Sequence, residues 1–216
     1  LAYTTKIDAK MAESTNSDIY LIDVAGTQPP RNITNGQMGY DNDPKYSPDG
    51  KYIAYQSMER PGFEADRNRI MLYDRQSQKS VDITQGLEQN ADHARWLPDA
   101  SGLVFDSDHR GCVHSFQIKL DGRKAQQLSG GRANYSLQDI APGGKFALVA
   151  RNDMIVPADL FLLDLNDGTE KQLTTLNETL LADLELPTVQ ERWVDSTDGK
   201  RIHCWVIYPP GFDPAS

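Results

Sequence analysis

One phrase recurs four times along the chain, and that recurrence constrains the fold more than any single residue. Tyr20-Leu21-Ile22-Asp23 leads to Asn32-Ile33-Thr34, and Met71-Leu72-Tyr73-Asp74 to Asp82-Ile83-Thr84. Phe116-Gln117-Ile118-Lys119 then leads to Gln127-Leu128-Ser129, and Phe161-Leu162-Leu163-Asp164 to Gln172-Leu173-Thr174. The closing Thr or Ser stands at 34, 84, 129 and 174, giving steps of 50, 45 and 45 residues. Between these phrases runs a second piece, Tyr46-Ser47-Pro48-Asp49-Gly50-Lys51-Tyr52-Ile53, echoed by Trp96-Leu97-Pro98-Asp99 and Ile140-Ala141-Pro142-Gly143-Gly144. Each echo reads as a strand, a tight turn and a returning strand, with proline presetting φ and glycine taking the positive φ. Apolar runs of four to six residues between polar turns favour strands over helices. A period near 45 built from such strands is the signature of β-propeller blades of four strands each.

Strands are expected near 18–24, 31–34, 43–47, 51–57, 69–74, 80–84, 92–97 and 102–107. Others are expected near 112–119, 125–129, 135–140, 145–150, 159–165 and 170–174. Three complete units then fit, at about 42–84, 92–129 and 135–174, with part of an earlier one at 1–34. Leu1 to Thr5 read as the tail of a strand already in progress, and with no initiator Met the chain reads as a fragment of a longer protein. Leu176, Leu180, Leu181 and Leu184 fall at helical offsets, so one helical stretch is expected around 176–186. The expected fold class is all-β, a partial propeller of about three blades plus part of another over 1–188.

From Glu191 the grammar changes. Two strand candidates, 191–196 and 201–208, flank Thr197-Asp198-Gly199-Lys200, a strong hairpin signal. Residues 189–216 are therefore expected to form a linker and the opening hairpin of a further domain.

A net charge of −9 leaves no basic stripe for nucleic acid, and no apolar run approaches the ~20 residues that span a bilayer. No nucleic-acid and no membrane partner is expected. The compartment stays open between periplasmic or secreted and cytoplasmic. Neither Cys112 nor Cys204 lies in a metal-type spacing, so two buried free thiols are expected. His93, His109, His114 and His203 lack partners at ligand spacing, and no metal or cofactor is expected. For His93 a structural hydrogen bond beside Asp92 is expected. Asp106 to Gly111 superficially resembles a calcium loop, but Arg110 and Gln117 stand where ligands are needed, so a turn between strands is the favoured reading.

The Ser-Pro-Asp-Gly and Gln-Leu-Thr punctuation, followed by Asp198-Gly199-Lys200 and Tyr208-Pro209-Pro210-Gly211-Phe212-Asp213-Pro214, resembles the prolyl oligopeptidase family of serine peptidases. Its dipeptidyl-peptidase and acylaminoacyl-peptidase branch is the nearest likeness, and Ser57 to Asp66 looks like a recurrent loop of that branch. The resemblance implies an α/β-hydrolase domain carrying a Ser, Asp and His triad, with the propeller gating and orienting short peptides. No G-x-S-x-G nucleophile elbow occurs among these 216 residues, so no catalytic residue is assigned. The rival reading is a TolB-like propeller binding a protein partner without catalysis; a junction from Trp193 to Pro214 argues against it.

The long loop that breaks the repeat spacing carries the candidate substrate-binding residues, Arg60, Glu64 and Asp66. The resemblance implies a site that holds a free substrate amine, and Glu64 and Asp66 are the acids expected to supply the charge for it. The alternative is a solvated loop whose Arg60, Arg67 and Arg69 pair with those acids. A severed propeller also exposes the faces of its end blades, through residues such as Ile19, Leu21, Leu160 and Leu162 or their neighbours, so self-association is expected.

Overall fold

The computed structural model describes residues 1–7, 13–122 and 124–213. A three-stranded sheet comes first, with β1 (Ala2–Thr5), β2 (Asp18–Leu21) and β3 (Arg31–Asn32) in that order. Three four-stranded antiparallel sheets follow. They comprise β4 (Asp41–Tyr46), β5 (Tyr52–Ser57), β6 (Arg69–Asp74) and β7 (Lys79–Asp82); β8 (Asp92–Trp96), β9 (Gly102–His109), β10 (Cys112–Lys119) and β11 (Ala125–Gln127); and β12 (Asn134–Ile140), β13 (Phe146–Asn152), β14 (Asp159–Asp164) and β15 (Glu170–Gln172). Within each sheet the strands lie in sequence order. A separate hairpin pairs β16 (Thr188–Asp195) with β17 (Arg201–Tyr208). This is a partial β-propeller, and the expected strands appear within a few residues of their predicted bounds. The junction's closing Pro214 lies outside the described residues.

Burial shows why the sheets stack. Ile53, Tyr55 and Tyr73 meet Ile19 of the preceding sheet, while Ala54, Ile70 and Leu72 meet Leu103 and Phe105 of the next. Val104 in turn joins Leu137, Val149, Phe161 and Leu163. Alternate residues of one strand thus enter different cores, because successive side chains point to opposite faces. The continuous apolar run 52–55 is the sequence trace of a sheet covered on both sides.

The repeated Thr or Ser has one physical job. Its hydroxyl accepts a backbone N–H of the next-to-last strand in every sheet: Ile19 to Thr34 at 3.0 Å, Ile70 to Thr84 at 3.1 Å, Ser115 to Ser129 at 2.9 Å and Leu160 to Thr174 at 2.9 Å. In three of the four it also donates to a carboxylate, Asp18, Asp82 or Asp159. The last strand of each sheet ends just before these residues, and the hydroxyl satisfies a backbone group that the ladder no longer reaches.

The Pro-Asp-Gly turns close with Gly50 N–H to Ser47 O at 2.8 Å, Ala100 N–H to Leu97 O at 2.9 Å and Gly144 N–H to Ala141 O at 2.8 Å. Gly50 and Gly144 hold φ of +71° and +67°, and Ala100 takes the same left-handed conformation at +60°. Each first strand also carries an irregular register, between Asn42 and Lys45, Asp92 and Arg95, and Leu137 and Asp139. Asp43 and His93 sit in these bulges with φ of +51° and +55°.

Three expectations need correction. Ile19 and Leu21 do not line an open end, because both pack on the covered side against Ile53 and Tyr55. The other side of that sheet shows Tyr3 stacked on Tyr20. Leu160 and Leu162 do lie on the far side of the last sheet, half-buried beside Leu148 and Ala150. The helix is shorter than expected: α1 spans only Glu178–Ala182, has no side-chain cap and buries no residue. Leu176 and Leu180 stay largely exposed, so the apolar offsets find no surface to nucleate a longer helix. His93 approaches Asp106 at 3.5 Å, whereas Asp92 accepts from Gln56 and Asn68.

Candidate functional site

Antiparallel pairing places all strand-end connections at two faces of the stacked sheets. The Pro-Asp-Gly turns occupy one face. The connections 58–68, 110–111 and 153–158 occupy the other, together with the links 35–40, 85–91 and 130–133 between sheets. The β16–β17 hairpin also meets this second face. Arg132 donates to Val189 O at 3.1 Å, and its guanidinium lies 6.0 Å from the Trp205 ring. Gly111, at φ +73°, is so close to Trp205 that a Cβ there would stand 2.8 Å from the indole nitrogen. The long loop and the hairpin therefore share one face.

The loop is tightly built. Asp66 is 8% exposed. Its Oδ2 accepts the backbone N–H of Glu59 at 3.0 Å and of Arg60 at 2.8 Å, while Oδ1 accepts Arg60 Nη2 at 2.7 Å and Nε at 3.1 Å. Hydrogen bonding from the Arg60 side chain, helped by these backbone donors, holds the Asp66 carboxyl well below the usual range. Arg60 also lies 4.1 Å over the Phe63 ring. Gly62 N–H donates to Thr15 Oγ1 at 2.8 Å, which ties the loop to the first sheet. Arg69 pairs with Glu59 at 3.2 Å, and Arg67 with Asp82 at 3.0 Å.

Of the three predicted residues, the structure brings Arg60 and Asp66 together and leaves Glu64 apart. Asp66 is committed to shaping the loop. Glu64 is exposed, with no partner among the described residues. Of the alternative pairing of Arg60, Arg67 and Arg69 with Glu64 and Asp66, only Arg60 with Asp66 occurs, since Asp82 and Glu59 take the other two arginines.

Elsewhere, Asp106 to Gly111 forms the end of β9 and a two-residue turn in which Arg110 and Gly111 both have positive φ. Cys112 is buried and Cys204 half-buried, both as free thiols. Among the described residues no three His, Cys, Asp or Glu side chains gather as a metal site. Sequence reasoning missed one assembly. His109, His114, Trp205 and Glu191 line a cavity between the third sheet and the hairpin. No local signal marks it, because its two walls are far apart in the chain.

The chain is 34% identical over 215 residues to dipeptidyl-peptidase 5 of Porphyromonas gingivalis, and 36% identical over 215 residues to that of Porphyromonas endodontalis. In both cases 99% of this chain and 31% of the relative are covered, so the chain spans about a third of these relatives' length. No family model matches. Among solved structures, an acylaminoacyl peptidase bound to a chloromethyl ketone superimposes with a TM-score of 0.72 at 19% identity, covering 92% of this chain and 29% of that one. TolB of Acinetobacter baumannii gives 0.55 at 21% identity, covering 98% and 47%. These structural likenesses speak for the propeller fold, and the sequence likenesses for descent. Over its length the chain is related in sequence to dipeptidyl-peptidase 5 and shares its propeller fold with the acylaminoacyl peptidases, consistent with a stretch of a prolyl oligopeptidase-family peptidase.

Proposed function

We propose that residues 1–188 are propeller blades which gate and orient short peptides for a serine-peptidase triad, and that 189–216 open the hydrolase domain bearing it. The observation that carries this reading is the shared face: the long loop 58–68 projects from the side that the junction hairpin meets. A substrate moving between the two domains passes that face. Its free amine would meet Glu64, an exposed carboxylate with no partner among the described residues, while the Arg60–Asp66 clasp holds the loop in shape. The hydrolase domain of the same protein is then the principal partner, and peptides are the substrates.

A charge-assisted hydrogen bond to an amine contributes about 1.5–3 kcal/mol. In the intact protein, Glu64→Gln should therefore raise KM for substrates with a free amino terminus by about tenfold or more, and leave N-acylated substrates unaffected. Asp66→Asn should weaken both classes, because it loosens the loop rather than removing one contact. Unchanged kinetics for free-amine substrates in Glu64→Gln would remove Glu64 from the site.

A further inference from the structure

The cavity between the third sheet and the junction hairpin holds about 240 Å³. Its walls include Arg110 and Arg132, the imidazoles of His109 and His114, the Trp205 indole and Glu191. Hydrogen-bond donors dominate it. Arg110 has no partner among the described residues, and neither arginine has an acidic one. The Trp205 Nε1–H is buried without an acceptor. His114 is 3% exposed, its Nδ1 3.2 Å from Ser129 Oγ. The single acid, Glu191, is already engaged: Oε1 accepts Trp193 Nε1 at 3.2 Å and lies 3.2 Å from His203 Nε2. In a chain of net charge −9, two arginines without acidic partners beside an orphaned buried donor are a local reversal.

A second cavity of about 300 Å³ adjoins the first and shares Arg132 and Trp205 with it. Met154, Ile155 and Val189 give it an apolar wall, and its one acid, Asp153, is engaged through Oδ1 by the backbone N–H groups of Ile155 and Val156 at 2.7 Å. A guanidinium fork matches a carboxylate, and apolar lining beside a few convergent donors is the usual build of a small-ligand site.

We infer that these joined cavities bind the carboxy-terminal residue of a short peptide, its carboxylate on Arg110, Arg132 and the Trp205 indole N–H and its apolar side chain against Met154 and Ile155. The inference rests on the peptide-handling role proposed above and names a second anchor for the same substrates. Both anchors lie on the face shared by the long loop and the hairpin. Together they would measure a peptide from its amine to its carboxylate.

Binding, rather than turnover, tests it, so that failure of the peptidase reading stays distinguishable. N-acetyl-Ala-Ala-Leu and its carboxy-terminal amide are titrated into the intact protein, with Trp fluorescence or calorimetry as readout. The acetyl group removes any contribution from the amine anchor. The acid should bind roughly tenfold or more tightly than the amide, and Arg110→Gln should abolish most of that preference without weakening the amide. Arg110 is exposed, so this variant leaves the core intact. Equal binding of acid and amide, binding of neither, or a preference that survives in Arg110→Gln and Arg132→Gln would overturn the inference. An acidic side chain from elsewhere in the protein filling the pocket would show as binding of neither peptide together with a lowered melting temperature in Arg110→Gln.

Discussion

Asp41 shows how one residue can escape sequence reading. It is fully buried between the first two sheets, and neither carboxyl oxygen has a hydrogen-bond partner. Its backbone N–H donates to Ser17 O as Ala91 N–H donates to Asn68 O one sheet later, so a carboxyl stands where the next repeat puts alanine. Burial pushes its pKa up to about 7, against 3.8 for an unperturbed aspartate. The folded state therefore holds a proton that the unfolded chain releases. Stability from this group is fully present below about pH 4 and falls as pH rises toward 7. Denaturant titrations across that window should show a decline in wild type that Asp41→Asn flattens, with the variant the more stable at pH 7. Identical pH profiles would refute the neutral carboxyl. Nothing in the local sequence distinguishes Asp41 from any other polar residue at the start of a strand. Asp66 was similarly ambiguous, since spacing marks the loop but does not say which arginine clasps it. Ala100 is legible only by alignment with Gly50 and Gly144, whose left-handed position it fills.

At the scale of elements, the period was legible because a recurring hydroxyl does the same work in every sheet. Thr84 accepts Ile70 N–H and donates to Asp82 Oδ1. Thr84→Val keeps the shape and strands a buried backbone donor, which should cost about 1–3 kcal/mol, whereas Thr84→Ser should stay close to wild type. A shift in the denaturant midpoint measures it, and equal midpoints for Val and Ser would deny the hydroxyl that role. Faces were less legible than strands. Alternation says that Ile19 and Leu21 share a side, but only the stacked partner says whether that side is covered, and Ile53 with Tyr55 covers it. The helix failed for the complementary reason, as leucines at helical offsets need a surface to pack on. The contact of Gly111 with Trp205 was out of reach, because it joins a repeat to a hairpin that does not share its grammar.

Across the whole molecule, three cores join four sheets, and each core lies between successive sheets. The outer sides, with Tyr3 and Tyr20 at one end and Leu160 and Leu162 at the other, meet no further sheet among the described residues. Apolar surface of that kind drives association. The 216-residue chain by itself should self-associate at micromolar concentration, and a monomeric mass by light scattering would count against it. The propeller sheets, the closing hairpin and the long loop were all foreseeable from the repeat and where it breaks. Which face the loop shares with the hairpin was not, since that follows from strand direction in the assembled sheets. That shared face is the centre of the account, and hydrogen–deuterium exchange tests it most directly. In the intact protein, a bound non-hydrolysable dipeptide should slow exchange in 58–68 and leave the turns 47–50, 98–101 and 142–144 unchanged. Protection confined to those turns, or absent from 58–68, would contradict it.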